Sequence, residues 1–182
     1  VTGSFDTAVE AASEILRIEG HVIPATLKPT TLVAHLKGKV VRGQSAIHNT
    51  DMYKKLTSIG LSPSVPANPK ALSAIRNADA LVIGPGDFYS SLVPNFLVHG
   101  IPECIRKSRA KKIFVCNLMS RNSHTGTWSV ADYTRAIEHY MKSPTDVVLY
   151  NNTHPPKALL RTYAREGENL TEWKNLPHAR QN

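Results

Sequence analysis

A short apolar run that ends in a glycine-rich turn most constrains how this chain can fold. Ala80–Ile83 has the pattern of a buried strand, Gly84-Pro85-Gly86 forms the turn, and Leu92–Val98 can start a helix. A strand, a glycine turn and a helix start leave free backbone N–H groups around one point, where the helix macrodipole adds positive charge. The pattern predicts either a seat for a phosphate or another anion, or a plain strand-to-helix turn.

The length and composition of the chain fit one globular α/β domain. The chain has 182 residues, of which 41% are hydrophobic, as is typical of an ordinary globular protein. Its longest apolar runs are far shorter than the ~20 residues that span a bilayer, so we expect no membrane contact. Cys104 and Cys116 lie in apolar contexts without metal-ligand spacing. The sequence therefore predicts a reduced, cytoplasmic protein.

The periodicity of the apolar residues predicts alternating helices and strands. Residues 45–58 are ambiguous, and residues 61–69 have the serine and proline content of a loop. Asn68 has the pattern of a helix cap, and Ser129 with Asp132 that of a capping box. The predicted elements are helices over Phe5–Ile18, Pro69–Asn77, Ser91–Arg109, Ser129–Met141 and Pro156–Arg165, a β-hairpin of Leu32–Leu36 and Val40–Arg42, and strands at His21–Pro24, Ala80–Ile83, Ile113–Cys116 and Asp146–Tyr150.

The predicted strands and the helix between them form a β-α-β unit, which within one sheet means parallel strands and a right-handed crossover. The strand Asp146–Tyr150 is apolar after its aspartate, as expected for a strand covered on both faces. Polar loops follow three predicted strands, at Gly84–Ser91, Asn117–Thr127 and Asn151–His154. Because ligands bind at the carboxyl ends of parallel strands, these loops predict a cleft if the strands are neighbours.

The formal net charge of +8 suggests an acidic partner. The densest group of cations, the basic cluster, consists of Arg106, Lys107, Arg109, Lys111 and Lys112. It could attract nucleic acid or an acidic ligand, or it could be the solvated end of a helix, where cations are favoured. No aromatic residues interleave with the cluster as a stacking platform for bases would require, so the pattern favours the solvated helix end.

Several motifs resemble the gluconeogenesis-factor (YvcK-type) branch of the 2-phospho-L-lactate transferase (CofD-like) family. The run Gly84–Leu97 is similar to the Gly-Pro-Gly-Ser-Leu-Tyr-Thr-Ser of that branch, followed by an apolar pair and Pro-Asn-Leu-Leu. Further matches in order and spacing are Thr2–Phe5, Pro24–Leu27, Thr31–Ala34, Val41–Ser45, Val115–Ser120 and Val130–Asp132.

The resemblance implies an α/β fold, a Rossmann-like three-layer sandwich with a mainly parallel sheet plus a small β-hairpin excursion. Residues 1–170 would form a single CofD-like domain, the C-terminal portion of the family fold, and residues 171–182 an irregular tail. The matching branch binds nucleotide sugars such as UDP-N-acetylglucosamine and regulates carbon flux and cell-wall synthesis. The resemblance therefore implies a nucleotide-sugar-binding regulator of carbon metabolism, cell-wall synthesis and cell shape.

Two alternatives stay open. The transferase branch moves a phospholactyl group from a nucleotide-linked donor with a divalent metal, so an enzyme of this kind would bind Mg²⁺. Nucleic-acid binding through the basic cluster is the weaker alternative. The sequence leaves open whether the chain is an enzyme and whether it forms a homodimer, and it favours a ligand-binding regulator whose partner is a nucleotide sugar or a related nucleotide.

The chain also departs from the family pattern. The strand and Gly-Gly-Gly-Thr-Gly phosphate loop that open the family have no counterpart before Val1, so we expect the later part of a longer protein or a truncated relative. Asp87 replaces a serine of the family, and His124 stands where the family usually has an acid. A carboxylate inside the turn repels phosphate unless a metal lies between them, which makes Asp87 the candidate metal ligand. We expect His124 and His154 to be solvated loop residues.

No catalytic residue can be assigned from spacing. Tyr89 could stack on a base or sugar or pack under the turn, Asn117 could read a ribose or base or form a turn, and Tyr163 could contact the ligand or lie on a helix surface. The candidate ligand-binding residues are Gly84, Pro85, Gly86, Asp87, Tyr89, Ser90, Ser91, Asn95, Asn117, Met119, Thr125 and Tyr163.

Overall fold

The computed structural model describes residues 3–173. The helices are α1 (Phe5–Ile15), α2 (Gln44–His48), α3 (Pro69–Asn77), α4 (Val93–Phe96), α5 (Ile101–Lys107), α6 (Val130–Met141) and α7 (Lys157–Arg165), with a single π-helical turn (Phe88–Leu92), the π-turn, directly before α4. The strands are β1 (Thr31–Leu36), β2 (Lys39–Arg42), β3 (Leu56–Ser62), β4 (Ala80–Ile83), β5 (Lys111–Val115), β6 (Met119–Arg121), β7 (Val147–Leu149) and β8 (Glu168–Leu170).

A parallel sheet of order β4-β5-β7 forms the centre of the fold. One face of this sheet carries the buried side chains of Ile83, Phe114 and Val148, which belong to the same apolar core as the π-turn, α4 and α6. The helices between β4 and β5 make the predicted crossover. The predicted α/β fold with a parallel sheet and an additional hairpin is confirmed.

The other face of the parallel sheet is partly exposed within the described residues. Val82 is 64% exposed and Leu149 is 50% exposed. The expectation that the strand at Asp146–Tyr150 is covered on both faces is therefore wrong for this part of the chain. An apolar run shows that a strand can be covered, but whether anything covers it depends on distant segments.

Two small antiparallel sheets complete the fold. The predicted hairpin is confirmed, since β1 pairs with β2, and β3 adds to the other side of β1. The ambiguous residues 45–58 supply most of α2 and the start of β3. β6 pairs with β8 in a register that sets Arg121 opposite Glu168. This second pairing, which the sequence did not predict, brings two segments of the chain to the carboxyl end of β5.

Two predicted elements are corrected by the structure. His21–Pro24 does not form a strand. The predicted helix Ser91–Arg109 is divided, because Gly100 adopts a left-handed backbone with φ 100° and α5 then starts at Ile101. Pro102 lies in the first turn of α5, where proline costs little. The predicted caps are confirmed. The Asn68 side chain accepts a hydrogen bond from the Lys70 N–H, and Ser129 forms a reciprocal capping box with Asp132.

The chain past Leu170 keeps contact with the domain. Thr171 is fully buried, and its N–H donates to the carbonyl of Leu118. Residues 174–182 of the predicted irregular tail lie outside the described residues. No helix found between residues 3 and 173 has the length and apolar content that crossing a membrane requires.

Candidate functional site

A polar pocket of about 250 Å³ lies beyond the carboxyl ends of β4 and β5. Four of the predicted site residues line it, namely Asp87, Asn117, Met119 and Thr125. The other lining residues are His48, Phe88, Arg121, His124, Tyr133 and Glu168. The pocket therefore lies at the predicted edge of the sheet, but the predicted loop Asn151–His154 does not line it. Three of its eight polar residues come from outside the predicted loops, namely His48, Tyr133 and Glu168.

The remaining predicted site residues lie outside the lining of this pocket. Gly84 and Asn95 line a separate, mainly apolar cavity of about 340 Å³. Gly86 contributes only its carbonyl, which accepts a hydrogen bond from Asn117 Nδ2 at 2.8 Å. The residues that the structure does not bring to the pocket are Gly84, Pro85, Gly86, Tyr89, Ser90, Ser91, Asn95 and Tyr163.

Tyr89 packs in the apolar core. Its ring makes edge-to-face contacts with Phe88 and Trp128, at centroid distances of 4.9 and 6.2 Å. Burial raises the pKa of its hydroxyl to about 12. Tyr89 is therefore a core residue, and its stacking on a base or sugar stays a prediction.

Asp87 organises the turn from within. Its Oδ1 accepts hydrogen bonds from the N–H and the hydroxyl of Ser90 at 2.9 and 2.7 Å. The N–H groups of Ser91 and Leu92 donate to the Asp87 carbonyl. These three N–H groups are therefore paired inside the turn, and the carboxylate of Asp87 occupies the helix start where an external anion would be favoured. A phosphate seat at this turn stays a prediction.

The second carboxylate oxygen of Asp87 faces two imidazoles. Oδ2 lies 3.3 Å from His124 Nδ1 and 3.6 Å from His48 Nδ1. Nη1 of Arg121 lies 2.7 Å from His48 Nε2. Burial by itself raises the pKa of Asp87, but the neighbouring His124 and the hydrogen bonds from Ser90 outweigh burial and hold this pKa well below its ordinary value. Asp87 is therefore ionised throughout the neutral range.

His124 and Asn117 bring polar atoms without hydrogen-bond partners to the pocket. Within residues 3–173, neither ring nitrogen of His124 makes a hydrogen bond, and Asn117 Oδ1 makes none. His124 is 2% exposed, so the expectation of a solvated loop histidine is wrong. The reason is tertiary, since His124 packs edge-to-face against His48 at a centroid distance of 5.9 Å. Buried polar atoms are rarely left unpaired, which marks this wall of the pocket as a place for a ligand.

Thr125 and Tyr133 form the rigid floor of the pocket. Their hydroxyl oxygens lie 2.8 Å apart, and Thr125 Oγ1 accepts a hydrogen bond from the N–H of Arg121. The Tyr133 ring packs against Trp128 at a centroid distance of 5.2 Å. Burial raises the pKa of the Tyr133 hydroxyl well above its ordinary value. The floor therefore stays uncharged and positions Arg121 through its backbone.

The described pocket residues do not form a dedicated set of protein ligands for a magnesium ion. Among the described residues there is no group of three or more His, Cys, Asp or Glu side chains that could hold a metal ion. The carboxylate of Asp87 is already engaged by Ser90 and faces the two imidazoles, whereas Mg²⁺ requires free oxygen ligands. Mg²⁺ binding by Asp87 stays a prediction.

Comparison with known proteins places the chain in a family. Residues 1–180 match the family model described as 2-phospho-L-lactate transferase CofD. The chain belongs to the CofD family. The resemblance predicted from the motifs is thereby confirmed, including its branch, since relatives of this CofD chain carry the name gluconeogenesis factor.

Two such relatives and one solved structure show how far the similarity extends. The Gluconeogenesis factor of Bacillus subtilis is 34% identical over 169 residues, covering 91% of this chain and 53% of the relative. That of Listeria innocua is 37% identical over 160 residues, covering 86% and 49%. The crystal structure of protein BH3568 from Bacillus halodurans superposes with a TM-score of 0.86 at 31% identity, covering 96% of this chain and 56% of the other. The chain thus spans about half the length of the relatives it matches.

Sequence reasoning missed three polar residues of the pocket. Arg121 lies inside the predicted loop Asn117–Thr127, so that loop was a usable signal for it. His48 lies at the end of α2, in a segment without a clear period, and Glu168 lies in β8. No local pattern marks the latter two residues, because packing against the π-turn and pairing with β6 bring them to the site.

Proposed function

We propose that this CofD-family chain binds a nucleotide sugar in the polar pocket and acts as a cytoplasmic regulator of carbon metabolism and cell-wall synthesis. The observation that carries the proposal is the set of unpaired, buried polar atoms of His124 and Asn117 beyond the ends of two parallel strands. Ligands of α/β sheets bind at this edge. The relatives named gluconeogenesis factor support the regulatory role.

The two ends of the pocket suit different parts of such a ligand. His48 is 45% exposed at its side chain and lies beside the Arg121 guanidinium, so this end is open and carries positive charge. A guanidinium pairs well with phosphate oxygens. The pocket volume of about 250 Å³ is at the low end for a ligand of drug size, so it would hold one moiety of the ligand, with the diphosphate near Arg121.

Isothermal titration of the full chain with UDP-N-acetylglucosamine tests this proposal. We expect Arg121→Gln to weaken binding by about tenfold or more, because a charge-assisted contact to phosphate is lost. Arg161→Gln is the matched control, since Arg161 lies exposed on α7 and outside the pocket lining. Equal affinity of the wild type and the Arg121→Gln variant would show that the phosphates bind elsewhere.

A CofD-like transferase is the second candidate, and the family match favours it. Such an enzyme would move a phospholactyl-type group from a nucleotide-linked donor in a metal-dependent reaction. The regulator ranks first because the relatives reported above carry the name gluconeogenesis factor. Turnover of a GDP-linked phospholactyl donor that requires added Mg²⁺ would reverse this order, and no turnover with or without the metal would exclude the transferase.

A further inference from the structure

The wall of the polar pocket formed by Asp87, Asn117 and His124, here called the inner wall, has a defined hydrogen-bonding pattern. Asn117 Nδ2 donates to the carbonyl of Gly86 at 2.8 Å. This bond fixes the orientation of the amide, so the unpaired atom, Oδ1, is an acceptor. Any ligand group that satisfies Asn117 must therefore donate a hydrogen bond.

His124 complements this acceptor. Its Nδ1 lies 3.3 Å from the Asp87 carboxylate, and neither ring nitrogen makes a hydrogen bond within the described residues. An imidazole nitrogen donates or accepts a hydrogen bond according to whether it carries a proton. An unpaired acceptor and an unpaired imidazole beside a carboxylate call for a ligand group that donates a hydrogen bond and can also accept one.

Charge excludes phosphate from this wall. The carboxylate of Asp87 is part of it, and Glu168 lines the same pocket. A phosphate group at neutral pH is anionic and has little to donate, so it would leave Asn117 Oδ1 unpaired and would be repelled by Asp87. The guanidinium of Arg121, which contacts His48, suits the phosphates better. A hydroxyl group carries no charge and both donates and accepts.

We propose that the inner wall is a subsite for a neutral vicinal diol, with Asn117 accepting a hydrogen bond from one hydroxyl and His124 pairing with the other. This inference rests on the proposed nucleotide-sugar function. Both the ribose and the hexose of a nucleotide sugar carry such hydroxyls. The ligand would thus enter with its polyol part toward His124 and its diphosphate toward Arg121.

Titration of the full chain with four probes tests the subsite and distinguishes its two sources of hydroxyls. The probes are UDP, 2′-deoxy-UDP, UDP-N-acetylglucosamine and inorganic phosphate. If the ribose occupies the inner wall, UDP binds about tenfold or more tightly than 2′-deoxy-UDP. If the hexose does, UDP-N-acetylglucosamine exceeds UDP by that factor, while UDP and 2′-deoxy-UDP bind alike. Sites that hydrogen-bond a hydroxyl discriminate strongly against its absence.

A variant tests whether the inner wall causes the preference for the ligand that carries the additional hydroxyls. His124→Gln, checked for folding by circular dichroism, should reduce whichever preference the wild type shows. His154→Gln is the control, since His154 lies exposed in the loop after β7, and it should preserve the preference. The comparison among ligands uses the wild type alone, so it remains decisive if His124→Gln does not fold.

Two outcomes overturn the inference while the proposed function stands. One is equal affinity for UDP, 2′-deoxy-UDP and UDP-N-acetylglucosamine. The other is competition by inorganic phosphate that His124→Gln relieves, which would place phosphate at the inner wall. Absence of binding by all three UDP compounds would instead overturn the proposed function, and the diol subsite with it.

Discussion

Asp87 uses one carboxylate for two tasks. Its Oδ1 caps the π-turn through Ser90, and its Oδ2 faces His124 and His48. The motif predicted a turn that offers N–H groups to an anion, and in the structure the anion at the helix start is a side chain of the turn. Asp87, which replaces a serine of the family and is the candidate metal ligand, thus caps the π-turn from within the chain.

The lowered pKa of Asp87 makes a prediction about acid stability. A carboxyl group whose pKa is lower in the folded state stabilises the fold fully above its unfolded value of 3.8, and this contribution is lost as the pH falls below that value. We expect Asp87→Asn to lower the free energy of unfolding by about 1–2 kcal/mol at pH 7. Urea denaturation at pH 7, 5 and 3 should show the difference between the two proteins shrinking at pH 3.

Asp79→Asn is the matched control for this measurement, since Asp79 is an exposed carboxylate directly before β4. It should leave the free energy of unfolding nearly unchanged at each pH. A loss of the same size for Asp87→Asn at pH 7 and pH 3 would contradict the assigned role of the ionised carboxylate.

At the scale of elements, α6 connects local sequence chemistry to the site. Its capping box at Ser129 and Asp132 was recognisable in the sequence, and its buried face brings Tyr133 and Ile137 into the core. α1 has an equivalent serine cap at Ser4, but none of its eleven residues is buried within the described part of the chain. The same local signal therefore has different consequences in the two helices.

This contrast predicts that replacing the capping serine by alanine lowers the free energy of unfolding by different amounts in the two helices. Ser129→Ala should lower the free energy of global unfolding by about 1 kcal/mol, because it removes an N-cap from a helix that packs in the core. Ser4→Ala should have little effect on global unfolding, since a helix without buried residues can open separately. Chemical denaturation of both variants measures the difference, and equal losses would show that α1 unfolds together with the core.

At the scale of the whole molecule, the net charge of +8 includes cations of the basic cluster that are engaged by other parts of the protein. Lys112, a member of the basic cluster, is only 8% exposed, and its Nζ donates to the carbonyls of Ser108 and Ala110 at 3.1 Å each. Lys111 Nζ lies 4.0 Å from Asp146 Oδ1. These contacts favour the solvated helix end over a nucleic-acid surface.

A substitution of Lys112 therefore distinguishes a structural role of the basic cluster from a role in nucleic-acid binding. Lys112→Met should lower the free energy of unfolding by about 1–2 kcal/mol, because two buried carbonyls lose their charged donor, and it should leave any affinity for double-stranded DNA unchanged. Arg106→Gln, at an exposed position of the same cluster, is the control and should leave stability unchanged. DNA binding that weakens steeply with added salt and is reduced by Arg106→Gln would revive the nucleic-acid alternative.

Features that depend on near neighbours in the chain were predictable from the sequence. The bounds of β4 and α3, the caps at Asn68 and Ser129, and the hairpin follow from glycine and proline positions, cap chemistry and periodicity. Such signals act over a few residues. The resemblance of Gly84–Leu97 to a family added the fold and the branch, which the comparisons confirm.

The composition of the polar pocket was decided by the tertiary structure. The sequence by itself determined that Asp87, Asn117 and Thr125 follow strands and lie in polar loops. Only the fold brought His48 from α2 and Glu168 from β8 to them, and only burial turned His124 from an expected solvent-facing residue into an unpaired group of the inner wall. The physical reason is that strand pairing and side-chain burial join residues far apart in the chain, so no local pattern encodes which charges and acceptors will meet.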